Sequence, residues 1–320
     1  MLLFIADLHI KVGQEGVPVD WVTNRFDMFV NQLLDMINKN NVSLLVIGGD
    51  VFDRIPTGKN GVKEVNMFLK LVSVLPVKTI IYSGNHEAIT KTSTFLSDFK
   101  YAVSKLNPFV NIVDDFYSED GFDIIPYNKL KFDVYPAELN NRLLFTHVRG
   151  AIPPHVHPEI PLEKFERWEL VLAGDLHSYE NCQANILYPG SPYTTSFHRN
   201  KVETGAILLD INTLEHKWLQ FKLPQMLRKA VNVGEPMPED SYDLISYEIH
   251  GNALELSSIN EKDVIKKLAS KPKEDALILH KDMSIIEELK EYLSYIVMLE
   301  SVDVDSILLE YSNINPESKI

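Results

Sequence analysis

The sequence predicts an α/β protein: a two-sheet sandwich flanked by helices, then a small α+β cap domain and a C-terminal helical tail. Three observations carry this. Apolar runs alternate with amphipathic stretches three times within the first ninety residues, which calls for a parallel sheet with right-handed crossovers. Those runs are continuous and bounded by turn residues, as in strands covered on both faces. A period-two hairpin around Asn212-Thr213, and a composition change after about Pro224, separate a main domain from the remainder of the chain. The expected boundaries are 1–225 for the main domain, 230–280 for the cap and 281–320 for the tail.

Met1–His9 reads as an apolar strand ending in Asp7 and His9, which share a face if the strand stays extended. Thr23–Asn38 is helical, with Phe26, Phe29, Val30, Leu33 and Ile37 at i, i+3, i+4, i+7 spacing. Ser43–Asp53 is the central stretch: Leu44–Ile47 run into Gly48-Gly49 and deliver Asp50 and Asp53. Ligands collect beyond the carboxyl ends of such strands. A solvated loop, Arg54–Gly61, carries Arg54 and Lys59 beside that point, and Val62, Val65, Phe68, Leu69 and Val72 mark a second helix.

Val77–His86 is a third strand, ending in Asn85-His86 and followed by Glu87. Phe95–Val103 is helical and Phe122–Tyr127 a short strand. Arg142–His147 is an apolar strand ending in His147. Trp168–His177 repeats the device with Asp175 and His177, and Ile186–Ser191 turns sharply at Pro189-Gly190. The hairpin Ala206–Ile211 and His216–Phe221 is expected to complete the second sheet. In the cap, Tyr242–His250 reads as a strand, Glu261–Ala269 as a short helix and Ala276–Leu279 as a strand, with His250 and His280 structural. Ser284–Glu287 has the S-x-x-E capping pattern. Two short helices come next, striped by Ile286, Leu289, Leu293, Ile296 and Val297, then by Val304, Ile307, Leu308 and Tyr311. From Lys281 onward there are 3 Lys against 9 Asp/Glu. Such helices either dock on their own domain or bind another protein.

With 320 residues, 45% of them apolar, the chain can bury a large core. No apolar run approaches the roughly 18 residues of a membrane span. The chain enters a strand directly, with no signal-peptide pattern, and its one cysteine, Cys182, suits a reducing cytoplasm. A net charge of −14 argues against gripping nucleic acid by overall electrostatics. Bound divalent cations or a basic partner would offset it.

Asp7, His9, Asp50, Asn85, His147, Asp175 and His177 all stand at strand ends. So many Asp, Asn and His donors exceed one ion and suit two bridged by a carboxylate. Such an oxygen-rich shell favours Mn²⁺ and also admits Mg²⁺, Fe or Zn. Two such ions activate a water for phosphoester hydrolysis. His155 and His157, in a proline-rich loop, read as loop residues lining a substrate groove with Arg149.

The segments Asp7-Leu8-His9, Gly49-Asp50-Val51-Phe52-Asp53, Gly84-Asn85-His86-Glu87, Thr146-His147 and Gly174-Asp175-Leu176-His177, in this order, resemble the calcineurin-like metallophosphoesterase superfamily. Tyr188-Pro189-Gly190-Ser191, the cap and the tail make the chain similar to SbcD-like nuclease subunits of double-strand-break repair complexes, in a short, phage-type form. The resemblance implies a metallophosphoesterase sandwich and a 3′–5′ exonuclease and single-strand endonuclease acting on DNA. It implies a first metal on Asp7, His9, Asp50 and His177, and a second on Asp50, Asn85, His147 and Asp175. His86 would be catalytic without binding metal, with Asp53 orienting it. It further implies an SbcC-like ATPase bound by the tail, and a homodimer. The nuclease pattern has G-H-x-H where this chain has Gly174-Asp175-Leu176-His177, which bears on metal preference. Two other readings compete: a small-molecule phosphodiesterase or protein phosphatase of the same superfamily, and a non-catalytic scaffold.

Overall fold

A computed structural model describes residues 1–90, 93–238, 240–251, 256, 265–269, 283–297 and 301–314. The chain divides into two compact units, Met1–Ile249 with Asn260–Lys267, and His250–Ile259 with Leu268–Ile320. In the first unit, β1 (Leu2–Ile5), β2 (Leu44–Gly48), β3 (Lys78–Tyr82) and β4 (Val110–Val113) run parallel. Register puts Leu3 opposite Leu45 and Val46 opposite Ile80. A second sheet holds β5 (Tyr117–Glu119), β6 (Phe122–Ile125), β7 (Leu143–His147), β8 (Leu170–Gly174) and β9 (Ile186–Leu187) in sequence order.

The hairpin β10 (Gly205–Leu209) and β11 (His216–Gln220) forms as expected but joins the first sheet, not the second. β10 pairs antiparallel with β1, Leu3 opposite Leu208, giving the order β11-β10-β1-β2-β3-β4. The physical reason is the free edge of β1, whose unpaired N–H and C=O groups a returning strand can satisfy. Alternation along a hairpin says which residues face inward; it does not say which edge the hairpin joins.

The two sheets pack through Leu2, Phe4, Ile80 and Tyr82 on one side and Phe122, Phe145 and Leu172 on the other. Phe4 and Phe145 lie 5.5 Å apart, centroid to centroid. Each such fully buried side chain contributes about 1.5–3 kcal/mol. Tyr82 Oη donates to the Thr146 carbonyl at 2.7 Å, tying β3 to β7. The outer face of the first sheet is covered by α1 (Val19–Lys39), α2 (Gly58–Val74) and α3 (Lys100–Leu106). Phe26, Phe29, Val30, Leu33 and Ile37 of α1 are buried as their spacing requires.

On α2 the stripe is rotated from the expected one. Val62 is exposed, while Glu64, Met67, Phe68, Leu71 and Val72 face inward. Buried Glu64 accepts from the Val12 amide at 2.7 Å, so a polar residue occupies a core position. The helix also begins at Gly58, which places Lys59 in its first turn, not in a loop.

A third sheet is ordered β12 (Met226–Asn232), β13 (Leu244–Gly251) and β14 (Ile265–Ala269). Ile265–Ala269 is therefore a strand where a helix was expected. Its apolar residues fit both periods over so short a run, and pairing decides. Ala276–Leu279 and His280 lie outside the described residues.

In the second unit a helix spans Ile285–Glu291, and Ser284 with Glu287 forms the expected reciprocal cap. A π-helical turn, Tyr292–Ile296, comes next, then a helix Ser301–Ile314. Leu293 and Val304 are buried. Among the described residues, no helix is long and apolar enough to cross a membrane.

Candidate metal centre

The parallel strands of both sheets end toward one point, and the residues just past those ends build the site. β1 stops at Ile5, so Asp7 and His9 do not share a strand face as an extended chain would place them. Both take left-handed backbone, φ 57° and 41°, as do Asp50 at 49° and Asp175 at 102°. Such conformations cost about 1–2 kcal/mol each for a residue with a Cβ. Paired backbone holds them: the Asp7 amide donates to Gly49 O at 3.1 Å and the His9 amide to Asp50 O at 2.8 Å. Gly49 takes φ 87°, and a Cβ there would lie 2.6 Å from Gly84 N and His147 Nδ1. Only glycine lets the two loops approach this closely.

Six of the seven expected ligands converge. Three groups of donors lie within 4.8 Å of one another: Asp7, His9 and His177; His9, Asp50 and His86; Asp7, Asp50 and His147. Asp50 is the hub, its Oδ2 lying 3.6 Å from His9 Nε2, 3.5 Å from His147 Nε2 and 3.8 Å from His86 Nε2. Asn85 Oδ1 sits 3.0 Å from His147 Nε2.

The donors fit a divalent cation, because carboxylate and imidazole groups from several strand ends crowd within 4.8 Å of one another. His9 Nε2 and His177 Nε2 are 3.0 Å apart. Asn85 places its side-chain amide beside both Asp50 carboxylate oxygens and His147 Nε2. His147 Nδ1 donates to the Gly48 carbonyl at 2.9 Å, which fixes the ring and aims Nε2 inward at Asp50. Buried His9 Nδ1 has no hydrogen-bond partner.

The electrostatics agree. Burial drives the Asp7 carboxyl well above its ordinary range against the pull of His147, with Asp50 and Asp175 adding to the rise. Burial also opposes charge on Asp50 and on His147, yet the two outweigh it for each other. With His9 and His86, His147 holds Asp50 below the ordinary carboxylate range. Asp50, Asp7 and Asp175 push His147 up to about 10. Burial lowers His9 to about 3 and lowers His177 as well.

Two expectations need correction, those for Asp53 and Asp175. Asp53 does not orient His86 through its carboxylate. Its carbonyl oxygen meets His86 Nδ1, while the carboxylate lies 2.8 Å from Lys11 Nζ and 3.7 Å from His9 Nδ1. The chain bends at Asp53, so main chain and side chain face different neighbours. His86 borders the centre, its Nε2 3.8 Å from Asp50 Oδ2 and grouped with His9 and Asp50. Asp175 stands at the edge, 4.0 Å from His147 Nε2, with both oxygens taken by Arg149. Arg149 thus reaches the edge of the centre. His155 and His157 are exposed on a turn, as expected of loop residues. Arg54 lies 4.0 Å from Glu64.

Glu87 is the residue that sequence reasoning passed over. It is buried and accepts from the amides of Asp50, Phe52 and Gly84 at 3.0, 2.9 and 2.8 Å, clamping two ligand loops together. Burial, then the charge of Asp50, raises it to about 7. Beside His177 opens a cavity of about 330 Å³ lined by Ser178, Tyr193, Thr195, His198 and Lys201.

A family model described as calcineurin-like phosphoesterase matches residues 1–179. A protein named "Probable exonuclease subunit 1", from Escherichia phage T5, is 37% identical over 316 residues, 96% of each chain. A protein named as a phosphoesterase, from Invertebrate iridescent virus 3, is 26% identical over 254 residues, 72% of this chain and 69% of that one. Among solved structures, TT1561 of Thermus thermophilus is similar over 69% of this chain and 98% of its own, with 13% identity and a TM-score of 0.42. The match over residues 1–179 takes in Asp7, His9, Asp50, Asn85, His86, His147 and His177, and this chain belongs to the calcineurin-like phosphoesterase family.

Proposed function

We propose that this protein is a metal-dependent DNA nuclease that hydrolyses phosphodiester bonds, as the nuclease subunit of an SbcCD-like complex. The observation that carries the reading is the convergence of carboxylate and imidazole donors from Asp7, His9, Asp50, His147 and His177, with His9 Nε2 and His177 Nε2 3.0 Å apart. The 37% identity over 96% of the chain to the phage T5 exonuclease subunit supports DNA as substrate. The neighbouring cavity of about 330 Å³ is large enough for a nucleotide.

Asp7, His9, His177 and Asp50 would hold one ion, and Asp50, Asn85 and His147 the other, with Asp175 at its edge. Mn²⁺ suits these mixed donors, and Mg²⁺ is the next candidate. Ions bound there would activate a water and neutralise phosphate charge. The chain's own residues do the rest. The Asp50 carboxylate, held by the His86 amide at 3.0 Å, keeps one oxygen within 3.5–3.8 Å of three imidazoles. The Gly48 carbonyl keeps His147 in the ligating tautomer. His86 is half-exposed, and its Nδ1 proton points to the Asp53 carbonyl. Its Nε2 is then free to give a proton to the departing oxygen. The tail, from Ser284, would bind the SbcC-like ATPase, and the enzyme would act as a homodimer in the cytoplasm.

The deciding experiment digests end-labelled duplex and single-stranded DNA with Mn²⁺, comparing wild type with His86→Ala, with and without the ATPase. Metal-dependent degradation lost in the variant, at unchanged metal content, is the expected result. Turnover of a generic phosphodiester with no DNA cleavage would favour a small-molecule phosphodiesterase, which the net charge of −14 also suits.

A further inference from the structure

Arg149 lies two residues past the end of β7 and reaches the edge of the centre. Its Nε lies 3.0 Å from Asp175 Oδ2 and its Nη2 lies 3.1 Å from Asp175 Oδ1. One guanidinium thus engages both oxygens of a carboxylate that is only 4% exposed, the strongest geometry open to such a pair. The same Oδ1 is 4.0 Å from His147 Nε2, so it borders the donors that would hold the second ion. Asp7, Asp50 and Asp175 crowd this pocket, and Arg149 is the permanently charged group bound to one of them.

We infer that Arg149 is a built-in counter-cation that competes with the second metal ion for Asp175 and so sets that ion's affinity. This rests on the two-ion reading above. A carboxylate clamped at both oxygens must release at least one to ligate fully, and a guanidinium beside a divalent ion repels it. Arg149 has somewhere to go. Its side chain is 39% exposed, and Glu159 lies within its electrostatic reach, held by Tyr127 Oη at 2.7 Å and Lys131 Nζ at 3.0 Å. The pair also gives Asp175 its own logic. Imidazole could not be held this way, so the Asp175–Arg149 exchange makes an adjustable site of one that a histidine would leave permanently open.

The test titrates the metal-free full chain with Mn²⁺, by calorimetry and by the electron paramagnetic resonance signal of free Mn²⁺. It compares wild type, Arg149→Gln, Asp175→His and the double variant, each checked for folding by its melting curve. The weaker of two binding constants should tighten about tenfold or more in Arg149→Gln, the effect of removing one close like charge. In the Asp175→His background the same change should do much less, as a double-mutant cycle reads directly. An unchanged or weaker second constant in Arg149→Gln overturns the inference, as does an equal effect in both backgrounds. If every variant binds one ion only, the two-ion reading beneath it fails as well.

Discussion

Replacing Gly84 by alanine tests whether the close approach of two loops, and not the ligand set alone, makes the centre. A Cβ on Gly84 would lie 2.1 Å from Asp50 Oδ1, 2.8 Å from Asp50 Cγ and 2.5 Å from Asp50 N. Turning the side chain relieves the first two contacts only. The third is backbone to backbone, so the loops must part by about 0.9 Å to reach ordinary contact, an overpacking strain of about 1–3 kcal/mol. At about 2–4 °C per kcal/mol, the melting temperature should fall by about 2–12 °C. The greater effect is on chemistry, because Asp50 borders His9, His86 and His147 at once: a misplacement of this size costs about 10²-fold in turnover. The assay is hydrolysis of a small aryl phosphodiester with Mn²⁺, beside metal titration and thermal melting. Gly58→Ala is the control. It has φ 61° but no neighbour within 4 Å, so it should cost about 1–2 kcal/mol in strain and leave turnover intact. A folded Gly84→Ala protein with wild-type turnover and metal affinity would refute the argument.

Further predictions concern the same residues. His86→Ala should lower DNA cleavage by about 10²–10⁴-fold while elemental analysis finds the same metal content. Asp50→Asn should lose bound metal at both positions on the same analysis, since its carboxylate borders every donor group but one. Removing residues 284–320 should abolish co-purification with the ATPase while small phosphodiester hydrolysis survives; retained association would refute the tail's role. In metal-free protein His147 titrates near 10 instead of 6.5. Its stabilising contribution is therefore complete below about pH 6.5 and lost as pH rises through about 10. Urea unfolding across that range should show the decline in wild type and not in His147→Gln. Mn²⁺ binding near neutral pH should release a proton to a weakly buffered solution.

Much of the centre was legible because each strand is an apolar run and each ligand comes just after its end. Asp7, His9, Asp50, Asn85, His147 and His177 come together on that logic alone. The backbone that aims them was not legible. Period-two reasoning stops where the strand stops, and left-handed turns at Asp7 and His9 take over. Glu87 escaped because a charged residue after a turn reads as solvated. The usable signal was the set of turn amides at Asp50, Phe52 and Gly84, each of which needs an acceptor once buried. On α2, apolar residues at Val62 and Leu69 drew the stripe one position off, because a buried Glu64 breaks the pattern. The Arg149–Asp175 pair joins residues 26 apart in sequence that β7 and β8 bring together in space.

The hairpin that joins the first sheet also orders events during synthesis. β1 is made first, but one of its edges waits for residues 205–209. At about 5–20 residues per second, that edge stays open for about 10–40 s on the ribosome. All the candidate donors, from Asp7 to His177, emerge before the strand that closes the sheet behind them. The nascent chain therefore carries the full set of candidate donors on an unfinished scaffold. Full metal affinity should arrive in one late step, when β10 docks, and a chain stopped short of residue 205 should bind metal poorly and expose a sticky edge.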